Sequence, residues 1–299
     1  MQKDLLHQMR QQSFILFVIL LITAIPSFSQ TTPPSGSGLA SVNGIQVYYE
    51  IHGTGEPLIL LHGAFMTNRM NWGQMIPELS KTRKVIALEM QGHGHSPYSD
   101  RAMSFPVLAN DVAEVMKFLK IDSADVLGYS FGGTIAYQLA ISHPKRVKKL
   151  IIISATYKSE GWQPEVRNAF QSLQPEFLDN TPLKTEYLQT ASDTANWTKF
   201  ISKMIGFIKG SFNLGDEKIK GIKGPVLLIM GDNDGIEKNV LFKTYQLLGG
   251  GVVGDMAVMP ASQLAILPGK SHVTLMMDVP PVLAAVEGFL NPKPMMMGQ

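Results

Sequence analysis

Apolar residues come along this chain in short unbroken runs, and these runs alternate with stretches of helical spacing. "EPLILLHG" (56–63), "RKVIALEM" (83–90), "ADVLGYS" (124–130), "VKKLIIISA" (147–155), "GPVLLIMGD" (224–232) and "SQLAILPG" (262–269) have strand length and apolar cores. A run that is apolar at successive positions suits a strand covered on both faces. "NWGQMIPELS" (71–80) reads as helical. So does 104–120, where Val107, Leu108, Val112, Val115, Met116 and Leu119 share a face. "FGGTIAYQLAISH" (131–143) is a helix ended by Pro144, and 237–248 and 281–290 are two more. The alternation predicts an α/β fold with a mostly parallel, doubly wound sheet. Ahead of it, "LASVNGIQVYYEIHG" (39–53) sets extended segments on either side of Asn43-Gly44, the signature of an N-terminal hairpin.

Residues 157–215 break the alternation. They hold helical pieces such as "PEVRNAFQSL" and "NWTKFISKMIGFIKG" and no strand-like run. A segment of that length is too long for a bare loop, so it is expected to be a helical cap inserted between core segments 39–156 and 216–291. The first 29 residues read differently. Lys3 and Arg10 precede a 12-residue apolar run, 14–25, and Ser27 and Ser29 follow it. A membrane span needs about 20 residues, so a signal peptide cut before Gln30 is expected, with an uncleaved anchor as the alternative. "QTTPPSGSG" (30–38) reads as a linker and 292–299 as a disordered tail.

Composition narrows the classes. The 299 residues are 45% hydrophobic and 17% charged, which fits one large globular domain. The formal charge of +2 falls to +1 once Lys3, Arg10 and Asp4 are removed. That leaves no electrostatic footing for nucleic acid. Cysteine is absent, which excludes disulfides, a thiol nucleophile and thiolate metal sites. Export without disulfides fits a bacterial periplasm or release outside the cell, with no stable membrane insertion after cleavage.

The chemistry concentrates at "DVLGYSFGGTIAY" (125–137), where a strand run gives way to a helical run at Ser130. So sharp a turn strains the serine backbone and brings neighbouring segments very close. Gly128 and Gly132, two before and two after, supply the small residues this needs. The hydroxyl is left above the carboxyl edge of the sheet, where a helix N-terminus favours developing negative charge. A serine hydroxyl attacks well only when a neutral imidazole takes its proton and a carboxylate orients that imidazole.

"LLHGAF", "ALEMQGHGHS", "GYSFGGT", "LLIMGDNDG" and "LPGKSH" occur in that order over residues 40–291. With them the chain resembles the α/β-hydrolase superfamily, in its serine-nucleophile, esterase-like branch. The resemblance implies Ser130 as nucleophile, His272 as base and an aspartate of "GDNDG" as the acid. The family pattern selects Asp234, leaving Asp232 to bond the backbone of its own turn. The oxyanion hole is implied to be the backbone N–H groups of Ala64 and Phe131. His62 is expected to support that loop and His93 to be structural. The His93-x-His95 spacing also occurs in metal pairs, but no carboxylate cluster joins it, and neither a metal nor a cofactor is expected. Gly235 stands where relatives often carry proline, which implies a more flexible acid loop.

The expected function is hydrolysis of a carboxylic ester or lactone through an acyl-enzyme. A carbon–carbon bond hydrolase of vinylogous diketones, a cofactor-free perhydrolase and a non-catalytic ligand receptor stay open as alternatives. Met66, Trp162 and Trp197 are the candidate substrate contacts, and the cap aromatics favour a small-molecule ester with an apolar acyl group. The glycine-rich segment 247–262 is expected to be a mobile loop near the site. It lacks the Lys-Ser/Thr of a phosphate cradle.

Overall fold

The apolar runs pair into one sheet. The strands are β1 (Gly36–Val42), β2 (Ile45–His52), β3 (Glu56–Leu61), β4 (Arg83–Glu89), β5 (Ala124–Tyr129), β6 (Val147–Ile153), β7 (Val226–Gly231) and β8 (Gln263–Leu267). Their spatial order is β1-β2-β4-β3-β5-β6-β7-β8. The β1–β2 hairpin turns at Asn43-Gly44, both at positive φ, and β2 lies antiparallel to β4. Every other pairing is parallel. This computed structural model describes residues 34–292. The expected signal segment 1–29, linker residues 30–33 and tail residues 293–299 lie outside the described residues.

Continuous apolar strands arise because both faces of the sheet are covered. Ile59 and Leu61 of β3 face a core shared with the helices Phe105–Phe118 and Phe131–Ser142. Leu58 and Leu60 face the opposite core, built with Trp72, Ile76, Leu79, Val282, Val286 and Phe289. Between β6 and β7 the chain forms the helices Pro164–Ser172, Pro182–Thr190 and Trp197–Lys209. These pack over the carboxyl edge of the sheet: Phe200 meets His93, and Phe207 meets Phe131 edge-on with ring centres 5.7 Å apart.

Two expectations are corrected here. The linker ends earlier than expected, because β1 begins at Gly36 and pairs it with Ile51. Backbone pairing needs no apolar side chains, so "GSG" at 36–38 joins the strand. Segment 247–262 precedes β8, which runs parallel to β7. It therefore lies at the amino edge of the sheet, where Ser262 Oγ accepts from Val226 N at 3.2 Å, and not near Ser130.

The strand order reverses beside β3, which lies between β4 and β5. In such sheets the loops leaving adjacent strands at a reversal open a crevice at the carboxyl edge. Leu61 pairs with Gly128. The loop that begins at His62 and the turn at Ser130 therefore emerge side by side.

Candidate active site

Ser130 has φ +52°, a backbone region that side-chain-bearing residues seldom adopt. The close approaches inferred from the sequence are present. A Cβ on Gly128 would lie 2.4 Å from Gly132 O, and one on Gly132 would lie 2.0 Å from Leu61 O. Ser130 N donates to Ile153 O at 2.9 Å, which fixes the turn to β6.

Ser130 Oγ lies 3.0 Å from His272 Nε2, and His272 Nδ1 lies 3.2 Å from Asp234 Oδ1. These three residues come from separate loops, 142 and 38 positions apart. Asp234 is 1% exposed. Burial opposes its charge, but the His272 ring, the Ser154 hydroxyl and the Ile236 N–H outweigh it, holding the carboxyl below its ordinary value. The acid is thus an anion beside an imidazole, the arrangement that fixes the Nδ1–H tautomer.

Asp232 is exposed and accepts from Lys270 N at 3.0 Å. Backbone N–H groups of Gly269 and Lys270 hold its carboxyl below the usual range. Its main partners are therefore in the loop that carries His272, not in its own turn as expected. The acid loop is also tied down at Gly235. Gln163 N donates to Gly235 O at 2.8 Å, and a Cβ on Gly235 would lie 2.6 Å from Val166 Cγ2. The helical segment thus packs directly on the acid loop at Gly235.

The loop after β3 leaves the Ala64 donor spare. Gly63 N donates to Asn71 Oδ1 at 2.7 Å, Phe65 N to His93 Nε2 at 3.2 Å and Met66 N to Gly63 O at 3.2 Å. Among the described residues, neither Ala64 N nor Phe131 N has an acceptor. Phe65 stands at φ +64°, which shapes this turn. Met66 is half-buried within it.

His62 and His93 are both buried, and each uses both ring nitrogens on the backbone. His62 Nδ1 lies 2.8 Å from Gly63 O and its Nε2 accepts from Met90 N at 3.0 Å. His93 Nδ1 lies 3.2 Å from Gln91 O. Burial pushes His62 below its ordinary value, and burial with the neighbouring His62 pushes His93 further down. Two neutral rings have a thermodynamic consequence. The unfolded chain takes up protons below about pH 6.5, and the native state refuses them. Stability is therefore full above about pH 6.5 and falls on acidification, by up to about 1.4 kcal/mol per histidine per pH unit. The denaturant midpoint is expected to stay level from about pH 8 to about pH 7 and to drop by about pH 5. An unchanged midpoint over that range would mean that these rings are charged in the fold.

Trp162 stands edge-on to His272 with ring centres 5.3 Å apart. Trp197 does not reach Ser130 or His272. It is 5% exposed, packs on Tyr187 with ring centres 5.3 Å apart, and donates its indole N–H to Asp179 Oδ1 at 2.7 Å. It belongs to the interior of the helical segment, because its polar N–H needed a partner on burial. His95 Nδ1 lies 2.9 Å from Glu89 Oε2, while His93 points to backbone groups.

Sequence reasoning missed Tyr129 and Ser154. Tyr129 Oη donates to His272 O at 2.9 Å, and its ring stacks on His272 with centres 5.2 Å apart. The signal was present, since Tyr129 directly precedes the serine. Ser154 follows β6 at φ +49° and has its hydroxyl buried on the acid side of the site.

Residues 56–196 match the family described as the alpha/beta hydrolase fold. The chain is 37% identical over 129 residues to a 2-hydroxymuconate semialdehyde hydrolase of Pseudomonas sp. (strain CF600), covering 42% of this chain and 45% of that one. It is 34% identical over 113 residues to a pimeloyl-acyl-carrier-protein methyl ester esterase of Aeromonas hydrophila, covering 38% and 42%. The chain thus spans less than half the length of these curated relatives. A meta-cleavage product hydrolase from Pseudomonas fluorescens has the same fold, with a TM-score of 0.69 and 21% identity over 86% of this chain and 98% of that one. The chain belongs to the α/β-hydrolase superfamily.

Proposed function

We propose that this protein is a serine hydrolase that cleaves a carboxylic ester or lactone through an acyl-enzyme. The observation that carries this reading is the continuous relay from Ser130 Oγ through His272 to Asp234, at 3.0 and 3.2 Å. His272 Nε2 takes the Ser130 proton as Oγ bonds to the substrate carbonyl carbon. The resulting oxyanion is met by the N–H groups of Phe131 and Ala64, which have no acceptor among the described residues. The carbon–oxygen bond to the leaving alcohol then breaks, and His272 returns the proton to that alcohol. Water, deprotonated in turn by His272, attacks the acyl carbon and releases the acid and Ser130.

Trp162 beside His272 and Met66 beside the Ala64 turn favour an apolar acyl group on a small-molecule ester. The test is a series of p-nitrophenyl esters of increasing acyl length. Turnover with an optimum above acetate supports the reading, and no release with any of them sinks it. A second reading is favoured by the likeness to the 2-hydroxymuconate semialdehyde hydrolase. In it the same relay opens a carbon–carbon bond of a vinylogous diketone. Bleaching of a dienol chromophore, with p-nitrophenyl esters left intact, would select it.

A further inference from the structure

One buried charge that the proposed chemistry does not use is on the helix Pro182–Thr190. Glu186 is 4% exposed, though it belongs to the segment covering the site. A carboxylate is seldom buried so deeply unless its partners satisfy it. Here the partners are not in its own segment. Glu186 Oε1 accepts from Thr67 Oγ1 at 2.7 Å and from Arg69 Nε at 3.3 Å, and Oε2 accepts from Arg69 Nη2. Thr67 lies 119 positions away in sequence and is itself 3% exposed.

Thr67 closes the same short loop that carries Ala64. Its hydroxyl donates to Glu186 and also accepts from Met70 N at 3.3 Å, so it caps the helix Asn68–Trp72. Asn71 of that helix in turn holds Gly63 N. The loop is thus pinned at Gly63 by Asn71, at Phe65 by His93 and at Thr67 by Glu186. Only the last of these contacts comes from the covering segment.

We propose that Glu186 is a positioning residue through which the covering helices set the loop that presents the Ala64 N–H. This rests on the serine-hydrolase reading and deepens it. When the segment is seated, the carboxylate fixes Thr67 and Arg69 and the donor points into the crevice. When it lifts, the carboxylate leaves with it and the loop loses its outer anchor. Efficient oxyanion stabilisation is then available only under the seated segment.

The test has two independent readouts. Glu186→Met removes both acceptor oxygens while keeping length and helix preference. Thr67→Val removes the hydroxyl at nearly constant shape and tests the contact from the other side, in case Glu186→Met does not fold. Each is expected to lower kcat by about 10–100-fold, the scale of a misplaced oxyanion donor, with a much smaller change in KM. The double variant is expected to lose less kcat than the product of the two single losses, because both remove the Thr67–Glu186 contact, while Thr67→Val also removes the acceptor of Met70 N and Glu186→Met also removes the acceptor of Arg69. Thr67→Ser should restore kcat, and Glu186→Gln, which keeps an acceptor for Thr67, should restore it in part.

Hydrogen exchange requires no turnover. In Glu186→Met, amides of residues 63–70 should exchange faster, while those of 238–247 stay as in wild type. Unchanged exchange at 63–70, additive losses in kcat, or a rise in KM alone would each overturn the proposal. Failure of wild type to take a fluorophosphonate at Ser130 would instead overturn the serine-hydrolase reading, with the exchange result still deciding whether Glu186 anchors the loop.

Discussion

Ser130→Ala is expected to keep its fold and to lose about 10⁴–10⁶ in kcat, the usual cost of removing such a nucleophile. The fold should survive because the serine is held by its backbone. Its N–H bonds Ile153 O and its carbonyl accepts from Thr134 N at 3.1 Å, while the side chain bonds only His272. Alanine carries the same Cβ, so the backbone cost of φ +52° is unchanged. The measurement pairs kcat on a p-nitrophenyl ester with a thermal melt and with labelling by a fluorophosphonate probe. Wild type should be labelled and the variant not. A variant that keeps about a tenth of the activity would show that Ser130 is not the nucleophile.

The two aspartates of the β7 loop should separate cleanly. Asp234→Asn is expected to lower kcat by about 10²–10⁴, because a neutral amide neither stabilises the imidazolium nor enforces the tautomer. The position also leaves the amide little freedom. Asp234 is 1% exposed, and among the described residues its Oδ2 has no hydrogen-bond partner to receive an amide N–H. Asp232→Asn should leave kcat near wild type, because asparagine keeps an oxygen to accept from Lys270 N. Single-turnover rates for both variants decide the matter. If Asp232→Asn is the inactive variant, the two roles are exchanged.

How far the sequence could be read follows from the range of the interactions involved. The strands were legible because burial on both faces forces apolar residues at successive positions, as at Leu58, Ile59, Leu60 and Leu61. The turn at Ser130 was legible because its steric demands fall within two residues, on Gly128 and Gly132. Backbone-only pairing was not, so Gly36–Val42 was expected to start later. Trp197 was misplaced because its choice depends on Asp179 and Tyr187, which composition does not locate. The partners of Asp232 lie in the loop after β8, and Glu186 meets Thr67 across 119 positions. Neither contact leaves a local trace. The place of 247–262 was derivable, since a segment before a parallel strand lies at its amino end.

The reacting groups divide into two mountings. Ser130 and the Ala64 loop ride on the hydrogen-bonded pair β3–β5, and Asp234 and His272 ride on β7–β8. One strand, β6, spans the gap. Its Ile153 O receives Ser130 N, and the next residue, Ser154, sends its N–H to Ile229 O of β7 at 2.9 Å. β6 therefore works as the spacer of a two-piece instrument. Its coil relative to its neighbours sets the alignment of nucleophile and base. Volume changes at Ile151 or Ile153, both fully buried, would shift that alignment together with the packing of the sheet.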